Sequence, residues 1–241
     1  MPEPPAADGA QPSRGDPAPP AAPPPPPTRV VLVRHAVTAE TGPVLSGRRS
    51  GIDLSDAGRD QAEAAAQRLA GLPLAAVYSS PLERCRQTAE AIAAPHGLPV
   101  TDMPGLAEAD YGDWTGQKID ELRGTELWKL VQVTPSAVRF PRGESVREMQ
   151  SRIVTALEDV VAGHPGELVV AVSHADPIKA AVAHFTGVHL DLFQRLFVSP
   201  ASCTVVRFGA TGAGLVKLND TGTMNDLVEE KREQAGATTD A

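Results

Sequence analysis

Four polar clusters set the chemistry open to this 241-residue chain: Arg34-His35, Arg84, Glu108 and His174. A guanidinium presents a planar fork matched to phosphate oxygens, and two of them can neutralise a dianion while spreading charge in the transition state. An imidazole attacks only when neutral, with its other nitrogen donating to an acceptor. For His35 a nearby backbone carbonyl would serve. The leaving alkoxide then needs a proton, and Glu108 is the carboxyl nominated to give it and later to take one from water. A charged His174 would add a third donor to the phosphoryl oxygens. In-line attack by His35 would leave a phosphohistidine intermediate.

Such residues do chemistry together only if the fold gathers them. The run Val30-Val31-Leu32-Val33 reads as a strand buried on both faces, so Arg34-His35 falls just past its carboxyl end, where open α/β sheets place their ligands. Further strands are expected over 74–79, 99–103 and 167–173, each followed by one of the remaining clusters. Helices alternate with them. Ser55 is expected to cap one that stops at Gly71 and Pro73, and Ser80-Pro81 to open a second. Ser145 with Glu148 forms a capping box for a third, and Asp176-Pro177 is expected to cap a fourth, from 178 to about 186, with a direct catalytic role for Asp176 as the alternative. Runs 203–208 and 214–218 read as a hairpin at one sheet edge. The fold class is therefore α/β, a three-layer α/β/α arrangement with a mostly parallel central sheet and an antiparallel edge strand. Segment 117–141 is less regular, with two short helices expected.

Composition narrows the partners. A formal charge of -8 argues against nucleic acid or an anionic membrane surface, so any anion site must be a local cluster; the arginines above make a phosphorylated small molecule the expected partner. Cys85 and Cys203 stand far apart in no metal or redox spacing, which suits buried thiols in a reducing compartment. With no apolar stretch long enough to span a bilayer and no signal-like start, the expected address is cytoplasmic. Residues 1–27, rich in proline and alanine, are expected to form a disordered tail, residues 28–219 the folded domain, and residues 220–241 a polar tail with a short helix over 223–234. The oligomeric state, homodimer included, is left open.

The motifs carry a resemblance. Val33-Arg34-His35-Ala36-Val37-Thr38 is followed by Ser79-Ser80-Pro81-Leu82-Glu83-Arg84-Cys85-Arg86-Gln87-Thr88. Then come Leu106-Ala107-Glu108, Tyr111-Gly112-Asp113-Trp114-Thr115-Gly116, Gly143-Glu144-Ser145 and Val172-Ser173-His174. In this order, over about residues 29 to 218, the chain resembles the histidine phosphatase superfamily, in its phosphoglycerate-mutase-like branch. The resemblance implies that His35 is the phosphorylated nucleophile, that Arg34, Arg84 and His174 complete the phosphate pocket, and that Glu108 is the proton donor. It implies no metal. Three positions depart from the family pattern: Ala36 and Ala175 replace glycines, and Thr41 stands where many members place a pocket asparagine.

The expected activity is phosphate monoester hydrolysis on a small phosphorylated metabolite. A phosphomutase is the rival within the same chemistry, and a catalytically silent phospho-ligand binder is the rival from another class. Thr41 and Arg48 are candidate substrate contacts, with Arg49, Arg139 and Arg142 as further candidates for an anionic tail. Tyr111 and Trp114 read as packing residues. A zinc set of His174, Asp176 and His184 lacks a metal-ligand spacing, so no metal and no cofactor is expected.

Overall fold

Strand β1 (Thr28–Arg34) alternates its side chains between two cores, and the rest of the molecule is arranged by that alternation. The computed structural model describes Met1 and residues 26–223. Val30 and Leu32 pack with Ile153 and Leu157 of α5 (Val146–Gly163) and with Ile178 and Val182 of α6 (Ala175–Thr186). Val31 and Val33 face the other way, onto Leu69 of α1 (Asp56–Leu69) and Ala89 and Ile92 of α2 (Glu83–Ala93). A strand buried on both faces needs apolar residues at every position, which is why its sequence shows a run rather than an alternation.

The remaining strands are β2 (Leu74–Ser79), β3 (Val100–Asp102), β4 (Leu168–Ser173), β5 (Cys203–Gly209) and β6 (Gly212–Asp220), in the sheet order β3-β2-β4-β1-β5-β6. β1 to β4 run parallel, β5 is antiparallel to β1, and β6 returns antiparallel to β5 at the edge. The register pairs Arg34 with Ser173, and Ser79 with both Val172 and Asp102, so the parallel strands end level. From that common edge the chain leaves β1 toward α1 on one face and β4 toward α6 on the other. The crevice between these diverging connections is a topological switch point, and His35 and His174 are its first residues.

Two helix starts agree with the sequence reading. Ser55 accepts from Gly58 N at 3.1 Å, and Ser145 and Glu148 form the reciprocal capping box. Two others are corrected. Helix α2 begins at Glu83 with Leu82 as its N-cap; the Ser80 hydroxyl bonds His174 Nε2 at 2.8 Å and takes only a long contact, 3.5 Å, from Leu82 N. Helix α6 begins at Ala175, so Asp176 lies inside its first turn and caps nothing. The irregular segment holds α3 (Ile119–Arg123) and α4 (Glu126–Val133), which close a third cluster around Trp114, Phe140 and Phe193. Among the described residues no helix is long and apolar enough to cross a membrane. Apart from Met1, 26–27 and 220–223, the two expected tails and the expected helix over 223–234 lie outside the described residues.

Candidate active site

A cavity of about 300 Å³ opens at the switch point, and Arg34, His35, Thr41, Arg84 and Glu108 line it. His35 is held by its own main chain: its backbone N–H donates to Ser173 O at 2.9 Å, and its Nδ1 lies 2.8 Å from Ala36 O. A carbonyl only accepts, so Nδ1 carries the proton and Nε2 keeps its lone pair. Burial, then the charges of Arg84 and Arg34, push the imidazole down to about 3, so the ring is neutral at physiological pH. Ala36 accommodates its position without a left-handed backbone, and its N–H donates to Thr88 Oγ1 at 3.1 Å.

The two arginines are fixed by carbonyls. Arg34 Nη1 donates to Val198 O at 2.8 Å and Arg84 Nη2 to Gly47 O at 2.7 Å. Arg34 Nε and Arg84 Nη1 are buried with no hydrogen-bond partner. Unpaired buried donors are costly, and two of them in a pair of cavity-lining arginines mark a place built for an anion.

Glu108 follows the 3-10 turn Pro104–Leu106, and its side chain is 12% exposed. Burial raises its carboxyl to about 7, helped by the nearby charge of Asp176 and opposed by the Ala109 N–H, which donates to Oε1 at 2.9 Å. A carboxyl poised there can give a proton and take it back. Its main chain is clamped: Arg48 Nε donates to Glu108 O at 2.7 Å, and Arg152 Nη1 reaches Gly105 O and Ala107 O at 2.8 and 2.9 Å. Glu144 anchors both arginines and accepts from Asp110 N at 2.9 Å.

His174 is fully buried just behind the cavity wall, its ring centroid 5.1 Å from that of His35. Burial and the neighbouring Arg84 hold its pKa well below the ordinary imidazole range. The charged form that would make His174 a third donor is therefore disfavoured in the free protein.

The other candidates divide. Thr41 lines the cavity, with its Oγ1 accepting from Thr38 N at 2.9 Å. Arg48 does not line it, being engaged by Glu108 O and Glu144. Arg49 pairs with Glu40, Arg139 with Glu148 and Arg142 with Asp113, all away from the cavity lining. Sequence reasoning missed Lys179 and Gln194 as cavity residues, put a cap ahead of a direct catalytic role for Asp176, and read Tyr111 as packing. Tyr111 Oη donates to Asp176 Oδ2 at 2.9 Å, and all four line the cavity. The spacing of Asp176 and Lys179, one turn apart directly after His174, was the available signal.

Comparison with known proteins agrees with this arrangement. The family model of the histidine phosphatase superfamily (branch 1) matches residues 30–221. Phosphoserine phosphatase 1 of Hydrogenobacter thermophilus is 35% identical over 198 residues, covering 80% of this chain and 92% of its own. Among solved structures, Bacillus stearothermophilus YhfR superposes with a TM-score of 0.75 at 27% identity, over 80% of this chain and 97% of its own. The mycobacterial glucosyl-3-phosphoglycerate phosphatase Rv2419c gives 0.73 at 25% identity, over 80% and 98%.

Proposed function

Because this chain belongs to the histidine phosphatase superfamily, branch 1, we propose that it hydrolyses phosphate monoesters of small metabolites through a phosphohistidine formed on His35. The observation that carries the reading is the neutral His35, its Nδ1 committed to Ala36 O, beside two arginines that each keep one buried nitrogen unpartnered. Arg34 and Arg84 hold the phosphoryl oxygens. Nε2 of His35 attacks phosphorus as the ester P–O bond breaks, and the carboxyl of Glu108 protonates the departing alkoxide oxygen. Water then attacks the phosphorus, gives its proton to the Glu108 carboxylate, and releases His35 and inorganic phosphate. The growing charge on the equatorial oxygens is met by guanidinium groups already in place.

The test is label transfer with turnover. Brief exposure to a phosphorylated substrate is expected to leave an acid-labile phosphoryl label, with release of phosphate from an aryl phosphate. Both are expected to vanish in His35→Ala. Binding without label would favour the silent binder. Faster isomerisation of 3-phosphoglycerate, primed by a bisphosphate, than its hydrolysis would favour the mutase.

A further inference from the structure

Beyond the phosphate-holding groups, the cavity is lined by Trp114, Trp128, Gln132, Asp176, Lys179 and Gln194, and these residues bear on the alcohol that is released. Among the described residues the charged groups lining the cavity are Arg34, Arg84 and Lys179 against Glu108 and Asp176. A phosphoryl dianion balances the two arginines. The third cation already has its anion: Lys179 Nζ lies 3.4 Å from Asp176 Oδ1 and 3.1 Å from Gln194 Oε1. The pair is mostly withdrawn from water, with side-chain exposures of 16% and 20%. The nearby arginines stand outside the cavity lining: Arg49 and Arg142 are paired with Glu40 and Asp113, and Arg48 shares Glu144 with Arg152.

A carboxylate carried on the alcohol would therefore meet Asp176 as a like charge in a poorly screened place, or would have to pull Lys179 from its partner. Hydroxyl groups meet no such obstacle. An ammonium has three donors, of which Lys179 uses two here, and an ionised carboxylate has about four lone-pair sites, of which Asp176 uses two. The amides of Gln132 and Gln194 add donors and acceptors, and two indoles offer apolar faces to C–H groups.

We propose that the alcohol released is uncharged and hydroxyl-rich, a polyol or sugar, and that the Asp176–Lys179 pair discriminates against esters whose alcohol carries a carboxylate. This rests on the reading of the same cavity as a phosphate monoester site.

Glycerol 3-phosphate and 3-phosphoglycerate form a matched pair of probes, differing at the far carbon by a hydroxymethyl group against a carboxylate. Their dissociation constants are measured by calorimetry on full-length His35→Ala protein, which cannot be phosphorylated and has lost only a neutral ring. Glycerol 3-phosphate is expected to bind at least about tenfold more tightly. Adding Asp176→Asn keeps an acceptor for Tyr111 but frees Lys179, and is expected to shift that ratio toward 3-phosphoglycerate by about tenfold. Adding Lys179→Met instead is expected to widen it. Equal or tighter binding of 3-phosphoglycerate with Asp176 intact overturns the proposal whether or not the double variants fold, as does failure of glycerol 3-phosphate to bind. A ratio unmoved by Asp176→Asn also overturns it. Aryl phosphate turnover by the unaltered protein reads the hydrolase assignment separately: its loss would remove that assignment and leave the binding ratio to stand or fall alone.

Discussion

Nη2 of Arg84 donates to Nδ1 of His174 across 3.3 Å, so the second histidine is held as an acceptor on the side that faces Arg84. A guanidinium has no lone pair to offer, which leaves Nε2 of His174 to carry the proton and donate it to Ser80 Oγ at 2.8 Å. Nδ1 also lies 3.8 Å from Glu108 Oε2. With His174 neutral and Glu108 raised toward protonation, that approach is a contact between the acid and the phosphate-binding wall rather than an ion pair. His174 thus links Arg84, Glu108 and the start of the α2 connection, and we propose that it acts on the site by holding Arg84 in place.

His174 is expected to stay neutral in the unliganded protein across about pH 5 to 8, the range in which an ordinary histidine changes charge. Ring nitrogen NMR is expected to show one protonated nitrogen, Nε2, throughout. A titration centred near the ordinary imidazole value would contradict the arrangement. His174→Ala is expected to lower kcat/KM for an aryl phosphate by about 100-fold, because Arg84 loses the neighbour that orients it.

The pH dependence follows from two groups. In the proposed reaction, phosphorylation of His35 requires a neutral imidazole, present above about 3, and a protonated Glu108, present below about 7. The single-turnover rate of label transfer from an alkyl ester is therefore expected to fall as pH rises through about 7. Glu108→Gln is expected to remove that fall and to slow alkyl esters by about 100-fold or more, with a smaller effect on aryl esters, whose leaving oxygen needs less help. Asp176→Asn removes one of the charges that raise Glu108, so the alkaline limb is expected to move to lower pH. An alkaline limb unmoved by Asp176→Asn would remove Asp176 from this role.

Much of this architecture can be read from local signals because local physics decides it. The runs at Val30–Val33 and 168–172 are apolar at every position since both their faces are covered, and Ser55 and Ser145 cap with the N–H groups three residues on, Ser55 while its hydroxyl also donates to Val37 O. Ser80 and Asp176 carry the same cap-like sequence context, a polar residue before proline. In the folded chain Ser80 Oγ is taken by His174 and the Asp176 carboxylate by Tyr111 and Lys179. His174 and Tyr111 lie far from these caps in sequence, so no window around either cap shows them; only Lys179, one turn after Asp176, is visible locally. Arg48 illustrates the same limit at the site: spacing cannot distinguish an arginine that binds substrate from one that holds Glu108 O.

The clamp behind Glu108 is expected to matter for the acid more than for phosphate binding. Glu144 accepts from Arg152 Nη2 at 2.8 Å, Arg48 Nη2 at 2.9 Å and Asp110 N at 2.9 Å. Glu144→Ala leaves two arginines and a half-buried N–H without their shared acceptor, at a cost of about 3 kcal/mol in unfolding free energy. In the protein that still folds, kcat for an alkyl phosphate is expected to fall more than kcat for an aryl phosphate, with little change in phosphate affinity. Equal losses for both esters would show that Glu144 supports the fold without positioning the acid.

Gly112 joins that clamp to the loop beside it. Its φ is +52°, and a Cβ built there would lie 2.0 Å from Pro141 O and 2.6 Å from Gly143 N. Both neighbours are backbone, so neither can swing aside as a side-chain tip would. The close approach is held by Asp113 N donating to Pro141 O at 2.9 Å and Glu144 N donating to Asp110 O at 3.0 Å. The loop bearing Glu108 and the loop bearing Glu144 therefore pack main chain against main chain, and a methyl group must part them. Gly112→Ala is expected to cost more than about 2 kcal/mol in urea unfolding, through both the left-handed backbone and the clash. It is also expected to lower kcat on alkyl esters in the same direction as Glu144→Ala, since both separate the acid from its anchor. Gly116→Ala serves as the comparison: its φ is +84°, but the nearest atom to a built Cβ is the end of the Arg49 side chain at 3.4 Å. That substitution meets the backbone strain without the clash and should cost less. Equal losses at the two positions would mean that the left-handed angle alone, and not the contact between the loops, accounts for glycine at 112.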